Sequence, residues 1–361
     1  MKAMKKFLAI VLTLCALTSV LSGCGSKEAA DDSKEDVEVS TTDFEPVVWK
    51  LSHGRNPDSR AGKAIQKFAD DVAAGTDGKV KIEIYPNSSL GDYETVQERV
   101  SMNDVQMQMS DMSTKVDPSL IVPTIPYLIG TWDDVEKYTT VENGGVLIDF
   151  MQERLAEQNI TLLNNYPQYF ASICSTKEIK NYEDPTAPKG LKMRVPTSTP
   201  FEKLGNLFGF TSTPMASNEC YTSMQTGVID GMIGGGTEYY YENLRELVNY
   251  ILPVNTHYVC YWIVVNSDAY NSLPAEYQEV ITAALAELHT KGLEDAKAEG
   301  TSYEEKFAAQ GATIYELTDD QINAYANAYR EEVWPQLGTD ILGDAGLAVL
   351  KEMAAEYGIN F

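Results

Sequence analysis

The chain has 361 residues, of which 43% are hydrophobic, so it is long enough to form two ordinary domains with apolar cores. Its formal net charge is −25, which argues against nucleic acid and anionic membrane surfaces as partners, because both carry negative charge. If the ligand is an anion, its site must therefore supply local positive charge.

The N-terminus has the pattern of a bacterial lipoprotein. Within residues 1–23, three lysines precede an apolar run too short to span a bilayer comfortably. The run ends in Leu21-Ser-Gly-Cys24, which resembles a lipobox and implies cleavage before Cys24 and lipidation of that residue. The alternative is an ordinary secretory signal with a chance cysteine. Residues 24–45 predict a flexible charged tether, so we expect an extracytoplasmic protein that a lipid anchors to the cell membrane.

The other cysteines and the histidines predict no metal site and no cofactor. Cys174, Cys220 and Cys260 lack Cys-x-x-Cys spacing, and either one disulfide or three buried thiols would fit. The histidines are far apart in sequence. No His-Glu-x-x-His, Gly-x-Ser-x-Gly or P-loop motif occurs, so nothing in the sequence supports an enzyme.

The folded body is predicted to alternate between strands and helices. The first half has strands at 47–52, 79–85, 105–112 and 160–163 and helices at 59–75, 91–100 and 132–158. Asp58 and Ser59 are candidate N-caps of the first helix, and Asn143-Gly144-Gly145 splits the third into two segments. The second half has strands at 191–195, 228–233, 260–265 and 313–317 and helices at 200–208, 217–226, from 237, at 274–311 and at 319–336. The helix at 274–311 could instead be two helices that meet near Gly292. The strand–helix–strand order predicts parallel pairing.

A series of short motifs resembles the substrate-binding proteins of TRAP (tripartite ATP-independent periplasmic) transporters. In chain order, the motifs are Phe68-Ala69, Gly78-Lys-Val-Lys-Ile-Glu-Ile-Tyr-Pro86, Leu90-Gly91-Asp92, Gly190-Leu-Lys-Met-Arg-Val-Pro196, Pro214-Met215, Glu219-x-Tyr221, Gln225-Thr-Gly227, Asp230-Gly231 and His257. Each motif is weak alone. Their order and spacing over most of the body make the resemblance specific.

The resemblance implies a periplasmic-binding-protein-like α/β fold, with two α/β domains, a ligand cleft between them and a long helix that spans both. The expected parts are domain I at 46–165 and 257–285, domain II at 166–256, and the spanning and C-terminal helices at 286–361. The domains would close over one organic acid and deliver it to the membrane subunits of a sodium-driven TRAP permease. An ABC-type solute-binding lipoprotein for a sugar or peptide and a sensor built on the same clamp are alternatives.

Arg194 matches the arginine of the family's Gly-Leu-Lys-x-Arg-x-Pro motif, its principal ligand residue. A guanidinium presents a planar, permanently charged fork that fits a carboxylate. Without the motif, a solvated strand arginine would be the simpler interpretation. The family often has a second arginine where this chain has Phe170 or Ala171, and an asparagine where it has Gly234. These departures favour a monocarboxylate, because a second carboxylate in a dry cleft would be poorly paired.

Further candidate ligand residues lie near predicted strand ends and helix starts. Besides Arg194 they are His53, Asp111, Thr114, Gln168, Tyr169, Phe170, Thr197, Ser217, Gly234 and Tyr239. A turn or helix cap is the alternative role for Asp111, and core packing is the alternative for each aromatic residue.

Overall fold

The computed structural model describes residues 44–361, so the predicted signal peptide, Cys24 and nearly all of the tether lie outside the described residues. The strands are β1 (Val47–His53), β2 (Val80–Tyr85), β3 (Met107–Ser110), β4 (Ile160–Phe170), β5 (Ser172–Ser175), β6 (Lys192–Val195), β7 (Thr211–Pro214), β8 (Gly231–Gly235), β9 (Tyr250–Leu252), β10 (Tyr258–Asn266) and β11 (Thr313–Ile314).

The helices are α1 (Arg60–Gly75), α2 (Tyr93–Ser101), α3 (Trp132–Thr139), α4 (Val146–Ala156), α5 (Thr199–Leu207), α6 (Cys220–Gln225), α7 (Thr237–Leu244), α8 (Ser267–Asn271), α9 (Ala275–Ala309), α10 (Asp319–Glu332) and α11 (Thr339–Glu356). Short 3-10 turns occupy Pro118–Thr124, Val141–Asn143, Ser217–Glu219 and Trp334–Gln336.

The first sheet has the strand order β2-β1-β3-β10-β4. β1 is parallel to β2 and β3, as predicted from the first strand–helix–strand unit, and β10 is antiparallel to β3 and β4. The carboxyl ends of β1, β3 and β4 therefore lie together with the amino end of β10. We call this side of the sheet edge 1; it carries His53, Ser110, Phe170 and Tyr258.

The second sheet has the strand order β11-β9-β5-β8-β6-β7. β6 is parallel to β7 and β8, and β5 is antiparallel to β8 and β9. The carboxyl ends of β6, β7 and β8 thus lie beside the amino end of β5, where Ser172 pairs with Gly235. We call this side edge 2; it also carries Val195 and Pro214.

Two crossing segments join the sheets. β4 continues into β5 through Ala171, and β9 leads to β10 through residues 253–257. The segments bond to each other: the Ala171 N–H donates to the carbonyl of His257 at 2.9 Å, and the Thr256 N–H donates to the carbonyl of Ala171 at 2.8 Å. Since each segment leaves one edge and enters the other, edges 1 and 2 face each other. Open α/β sheets bind ligands at such carboxyl ends.

Helix α9 is continuous across Gly292, so the two-helix alternative is wrong. A Cβ at Gly292 would lie 2.8 Å from the ring of Tyr166, which means that the glycine allows close packing on β4. Near its start, Ile281 lies in the apolar core of the first sheet. Near its end, Phe307 packs edge-to-face on Tyr241 of α7, with ring centroids 5.3 Å apart. The helix therefore contacts elements of both sheets.

The predicted α/β fold class is confirmed, whereas the predicted domain boundaries stay predictions. Several elements differ from the sequence-based expectation. β4 runs past Leu163 to Phe170 because its second half pairs with β10. β5, β7 and β9, which have three or four residues each, were not predicted. β8 begins at Gly231 and not at Val228.

Candidate functional site

Arg194 is held at edge 2 by the backbone of its neighbouring strands. Its side chain is buried, with the residue 6% exposed. Nε donates to the carbonyl of Met215 at 2.9 Å, and Nη1 donates to the carbonyl of Ile233 at 3.3 Å. These two bonds leave three of the five guanidinium N–H groups without an acceptor among the described residues. No carboxylate within residues 44–361 forms an ion pair with it, so the guanidinium is oriented and its charge is uncompensated.

Gly234 makes room for this guanidinium. Its φ of +109° is one that side chains rarely adopt. A Cβ there would also lie 3.2 Å from Nη1 of Arg194 and 3.0 Å from Pro196 Cγ. A side chain at position 234 would therefore crowd the guanidinium of Arg194.

Gly234→Ala should therefore weaken acid binding as well as folding. Gly145 provides a matched control, because its φ is +103° and no atom lies within 4 Å of a Cβ built on it. We expect both alanine variants to lose about 1–3 kcal/mol of unfolding free energy from backbone strain. Only Gly234→Ala should reduce affinity for an acid ligand, by about tenfold, because only it displaces Arg194. Equal affinities by calorimetry would contradict this role.

His53 presents an N–H group that has no partner. The residue is 2% exposed at the end of β1. The backbone N–H of Arg55 donates to its Nδ1 at 3.1 Å, so the neutral ring carries its proton on Nε2. Nε2 is buried without a hydrogen-bond partner among the described residues. Burial, aided by the charge of Arg55, lowers the pKa of His53 to about 4, so the ring is a neutral donor at pH 7.

His257 lies on the second crossing segment close to Arg194. Burial, and then the positive charge of Arg194, lowers its pKa to about 3. Its Nδ1 lies 3.2 Å from Thr256 Oγ1, and its ring packs edge-to-face on Phe201 at 4.7 Å. His257 is therefore neutral, and it adds no second cation beside Arg194.

Asp111 is the first residue after β3 at edge 1. Its side chain is open to solvent, yet protein surrounds it closely enough that loss of hydration raises its pKa to about 6. This combination is typical of the floor of a cleft. Within residues 44–361 its carboxylate forms no ion pair and accepts no hydrogen bond from another residue, so the cap role has no support. The negative charge of Asp111 contributes to raising the pKa values of Tyr93 and Tyr261, which places both nearby.

Gln168 occupies a β-bulge at edge 1. Cys260 pairs with Pro167 and Val259 pairs with Tyr169, which leaves Gln168 as the extra residue of β4. Bulges redirect side chains and are frequent beside binding sites. Gln168 is 1% exposed, and its Oε1 has no partner among the described residues.

The other candidates fall into packed and open positions. Phe170 lies in an aromatic group with Trp132 and Tyr258, at centroid distances of 4.9 and 5.7 Å, and Tyr169 packs on Gly236. The half-buried Tyr239 of α7 donates to the carbonyl of Ser217 at 3.5 Å. The positive charge of Arg194 favours a lower pKa of Tyr239, so these three residues lie close together. Thr197 and Ser217 are exposed at edge 2, and Thr114 is half-buried beyond Asp111.

A network of charged side chains beside the site was missed from the sequence. Its members are Arg55, Arg60, Glu238, Glu242 and Glu299, and we call it the ion network. Arg55 Nη2 lies 2.9 Å from Glu242 and 3.9 Å from Glu238. Arg60 lies 3.1 Å from Glu238 and 3.0 Å from Glu299. Since Arg55 follows edge 1 and Glu238 follows edge 2, the network connects the two edges.

One local pattern could have drawn attention to Arg60. It is the first residue of α1, and the first turn of that helix has no acidic residue. A positive charge at a helix N-terminus opposes the helix dipole, so it calls for a compensating partner elsewhere. Nothing local could identify that partner, because Glu238 and Glu299 are far away in sequence.

The remaining features of the described residues add no second site of this kind. Two surface grooves of about 370 and 500 Å³ lie away from Arg194, although His53 lines the larger one. Cys174, Cys220 and Cys260 are buried free thiols. Residues 44–361 contain no group of three metal-ligating side chains and no helix with the length and apolarity needed to cross a membrane.

Comparison with known proteins places the chain in one protein family. Residues 51–337 match the profile of the bacterial extracellular solute-binding protein family 7. The C4-dicarboxylate-binding periplasmic protein DctP of Rhodobacter capsulatus is 28% identical over 320 residues, which are 86% of this chain and 92% of that protein. The ectoine/5-hydroxyectoine-binding periplasmic protein UehA of Ruegeria pomeroyi is 26% identical over 86% of this chain and 90% of its own length.

A solved structure shares the whole fold. The TRAP periplasmic solute-binding protein of Chromohalobacter salexigens with bound D-glucuronate superimposes with a TM-score of 0.75, at 22% identity, over 85% of this chain and 99% of that protein. The family and these relatives are solute receptors and not enzymes.

Proposed function

Because the chain belongs to family 7 of the bacterial extracellular solute-binding proteins, the TRAP solute-binding family, we propose that it captures one small organic acid between edges 1 and 2. The observation that carries the proposal is the guanidinium of Arg194, which two backbone carbonyls orient and no carboxylate of residues 44–361 neutralises. Such a group favours a carboxylate, since charge-assisted hydrogen bonds from a fixed fork give both affinity and orientation. The names of the relatives mention a C4-dicarboxylate, ectoine and D-glucuronate, all of which carry a carboxylate.

The ligand is a monocarboxylate rather than a dicarboxylate. Arg55 and Arg60 also lie near the edges, but glutamates of the ion network compensate both charges. The two nearby histidines are neutral at pH 7. A second carboxylate in the closed cleft would thus lack a cation, at a cost of several kcal/mol.

The other predicted contacts surround this anchor. His53 supplies the unpaired Nε2–H, and Gln168 supplies an unpaired buried amide oxygen. Tyr239, Thr197 and Ser217 line edge 2 beside Arg194, whereas Asp111 and Thr114 line edge 1. Gly234 leaves space for the guanidinium. Tyr169 and Phe170 line the cleft with aromatic rings that are also partly packed in the core.

Delivery to a membrane permease and anchoring through Cys24 complete the proposal. The resemblance to TRAP receptors supports delivery to sodium-driven permease subunits, and the lipobox pattern supports the anchor. Mass spectrometry of the N-terminal peptide from membranes tests lipidation, which Cys24→Ser should abolish. Growth of a deletion strain on the ligand separates transport from sensing.

Native mass spectrometry of the protein purified from its own cells tests the acid directly. We expect one bound organic acid, and thermal-shift titration with that acid should raise the midpoint of unfolding by mass action. A neutral sugar or peptide in its place would favour the ABC-type alternative. Chemical conversion of the bound acid by the pure protein would contradict a receptor role.

A further inference from the structure

We propose that the cleft prefers a zwitterionic acid, whose carboxylate binds Arg194 and whose cationic nitrogen lies against Asp111. This inference rests on the acid-binding function proposed above and specifies the class of acid. The described residues compensate some of the charges at the two edges and leave others without a partner, and the inference rests on this difference.

Several charges around the cleft are paired among the described residues, whereas Arg194 and Asp111 are not. Arg55 and Arg60 are paired with glutamates of the ion network, and Lys115 beyond β3 is paired with Glu94 at 3.1 Å. Within residues 44–361, Arg194 and Asp111 have no ion-pair partner. Desolvating an uncompensated charge is costly, so a ligand that closes this cleft should offer a partner to each.

The register of β10 relates the two unpaired groups in space. Ser110 pairs with Trp262, so Asp111 follows at the level of Tyr261. The positive charge of Arg194 helps to lower the pKa of His257, so Arg194 lies near this residue, which comes just before β10. The four residues from His257 to Tyr261 span about 13 Å of extended chain at about 3.3 Å per residue. Arg194 and Asp111 thus lie toward the two ends of this interval, so a short molecule with opposite charges at its ends suits both.

Phenol groups line the interval between these ends. The positive charges of Arg194 and Arg55 each favour a lower pKa of Tyr239, so this tyrosine lies near both arginines. Arg55 Nη1 donates to the hydroxyl of Tyr261 at 3.3 Å, and Tyr261 lies beside Asp111. Burial raises the pKa values of both tyrosines, so they stay neutral at pH 7. The lining thus offers hydrogen bonds without competing for either charged end of the ligand.

A second, independent observation points to a polar ligand at edge 1. Nε2 of His53 and Oε1 of Gln168 are both buried and unpaired, and their residues are 2% and 1% exposed. Buried polar atoms are normally satisfied, so a donor and an acceptor left open at one edge mark a place where a ligand or water completes the bonding. These neutral groups can bind the middle of a zwitterion without changing the charge balance.

Matched acids of equal chain length test the proposal by isothermal titration calorimetry. The probes are 4-aminobutanoate, pentanoate and glutarate, with shorter and longer members of each series. We expect an ammonium acid to bind the unaltered protein at least about tenfold more tightly than its methyl and dicarboxylate counterparts. In Asp111→Asn, a change of nearly equal shape, the ammonium acid should lose about tenfold in affinity and the methyl acid should bind as before.

Glu98→Gln provides the matched control, because it removes one charge from an exposed residue of α2 that has no ion-pair partner within residues 44–361. It should leave all affinities unchanged. A methyl acid or dicarboxylate that binds as tightly as the ammonium acid, or an Asp111→Asn protein that keeps the preference, overturns the zwitterion inference. In that case, if acids bind the unaltered protein and Arg194→Met abolishes this binding, the proposed function remains supported. If no acid binds, both proposals are wrong.

Discussion

Replacement of Arg194 by Met is expected to weaken binding of the acid by at least about a hundredfold, because the ligand carboxylate loses its charged, bidentate partner. The two other arginines beside the cleft cannot take over this role. Glutamates compensate Arg55 and Arg60, and the histidines nearby are neutral. Calorimetric titration with the acid found in the purified protein measures the loss.

Arg194→Lys separates charge from geometry. An ammonium keeps the positive charge but cannot donate along the fixed directions set by the carbonyls of Met215 and Ile233. We expect it to bind the acid with an intermediate loss of about tenfold. If Lys and Met variants lose affinity equally, orientation and not charge dominates. Full affinity in Arg194→Met would show that the acid binds elsewhere.

Two controls guard this experiment against a trivial explanation. Arg245→Met removes the same charge from an exposed position just after α7, and it should leave acid affinity unchanged. Arg194→Met also leaves two backbone carbonyls without their donors, which we expect to cost about 1–3 kcal/mol of unfolding free energy. Circular dichroism and urea unfolding should therefore show a folded, mildly destabilised protein.

Glu238→Gln is expected to lower the free energy of unfolding by about 3–5 kcal/mol, because it removes a buried charge that compensates two buried arginines. Glu238 is 4% exposed, and its carboxylate lies 3.1 Å from Arg60 and 3.9 Å from Arg55. A glutamine keeps the shape but leaves the arginines short of negative charge. Urea unfolding monitored by fluorescence measures the loss.

Glu153→Gln is the matched control for this loss. Glu153 pairs with Arg154 at 2.7 Å, but its side chain is 71% exposed, so water and salt screen the pair. We expect a change below about 1 kcal/mol. Equal effects of the two substitutions would mean that the ion network adds nothing beyond an ordinary surface pair.

The double variant Arg60→Met/Glu238→Met tests coupling within the network. When both partners are removed together, neither is left as an uncompensated buried charge. We expect the double variant to be more stable than the sum of the single losses predicts, with a coupling of about 1–3 kcal/mol. Additive losses would show that Arg60 and Glu238 act independently.

Local sequence patterns were sufficient to predict most helices, because a helix forms its backbone hydrogen bonds within one segment. Ser59 caps α1 as predicted, accepting from the Gly62 N–H, and the apolar residues of that helix face the core at helical spacing. The break at Asn143-Gly144-Gly145 does separate α3 from α4. In contrast, Gly292 suggested a break in α9, but the glycine serves contact with Tyr166, which no local pattern reveals.

The candidate site was predictable only in part. The motif around Arg194 pointed to the proposed anchor, and the order of polar residues after strands pointed to His53 and Asp111. The sequence could not show that the Arg194 guanidinium fills the space beside Gly234, because the two residues are forty positions apart. It also could not show that Gln168 is a bulge residue, since a bulge is defined by pairing with β10.

Caps, periodicity and motifs are local, so the α/β alternation, the family and Arg194 as the proposed anchor could all be predicted from the sequence. The tertiary structure decided which charges remain unpaired. Arg55 and Arg60 look as available as Arg194 until α7 and α9 bring Glu238, Glu242 and Glu299 against them. Compensation of charge falls steeply with distance in space and does not depend on distance along the chain. For that reason the proposed anchor could be predicted from the sequence, whereas the pairing of the charges around it could not.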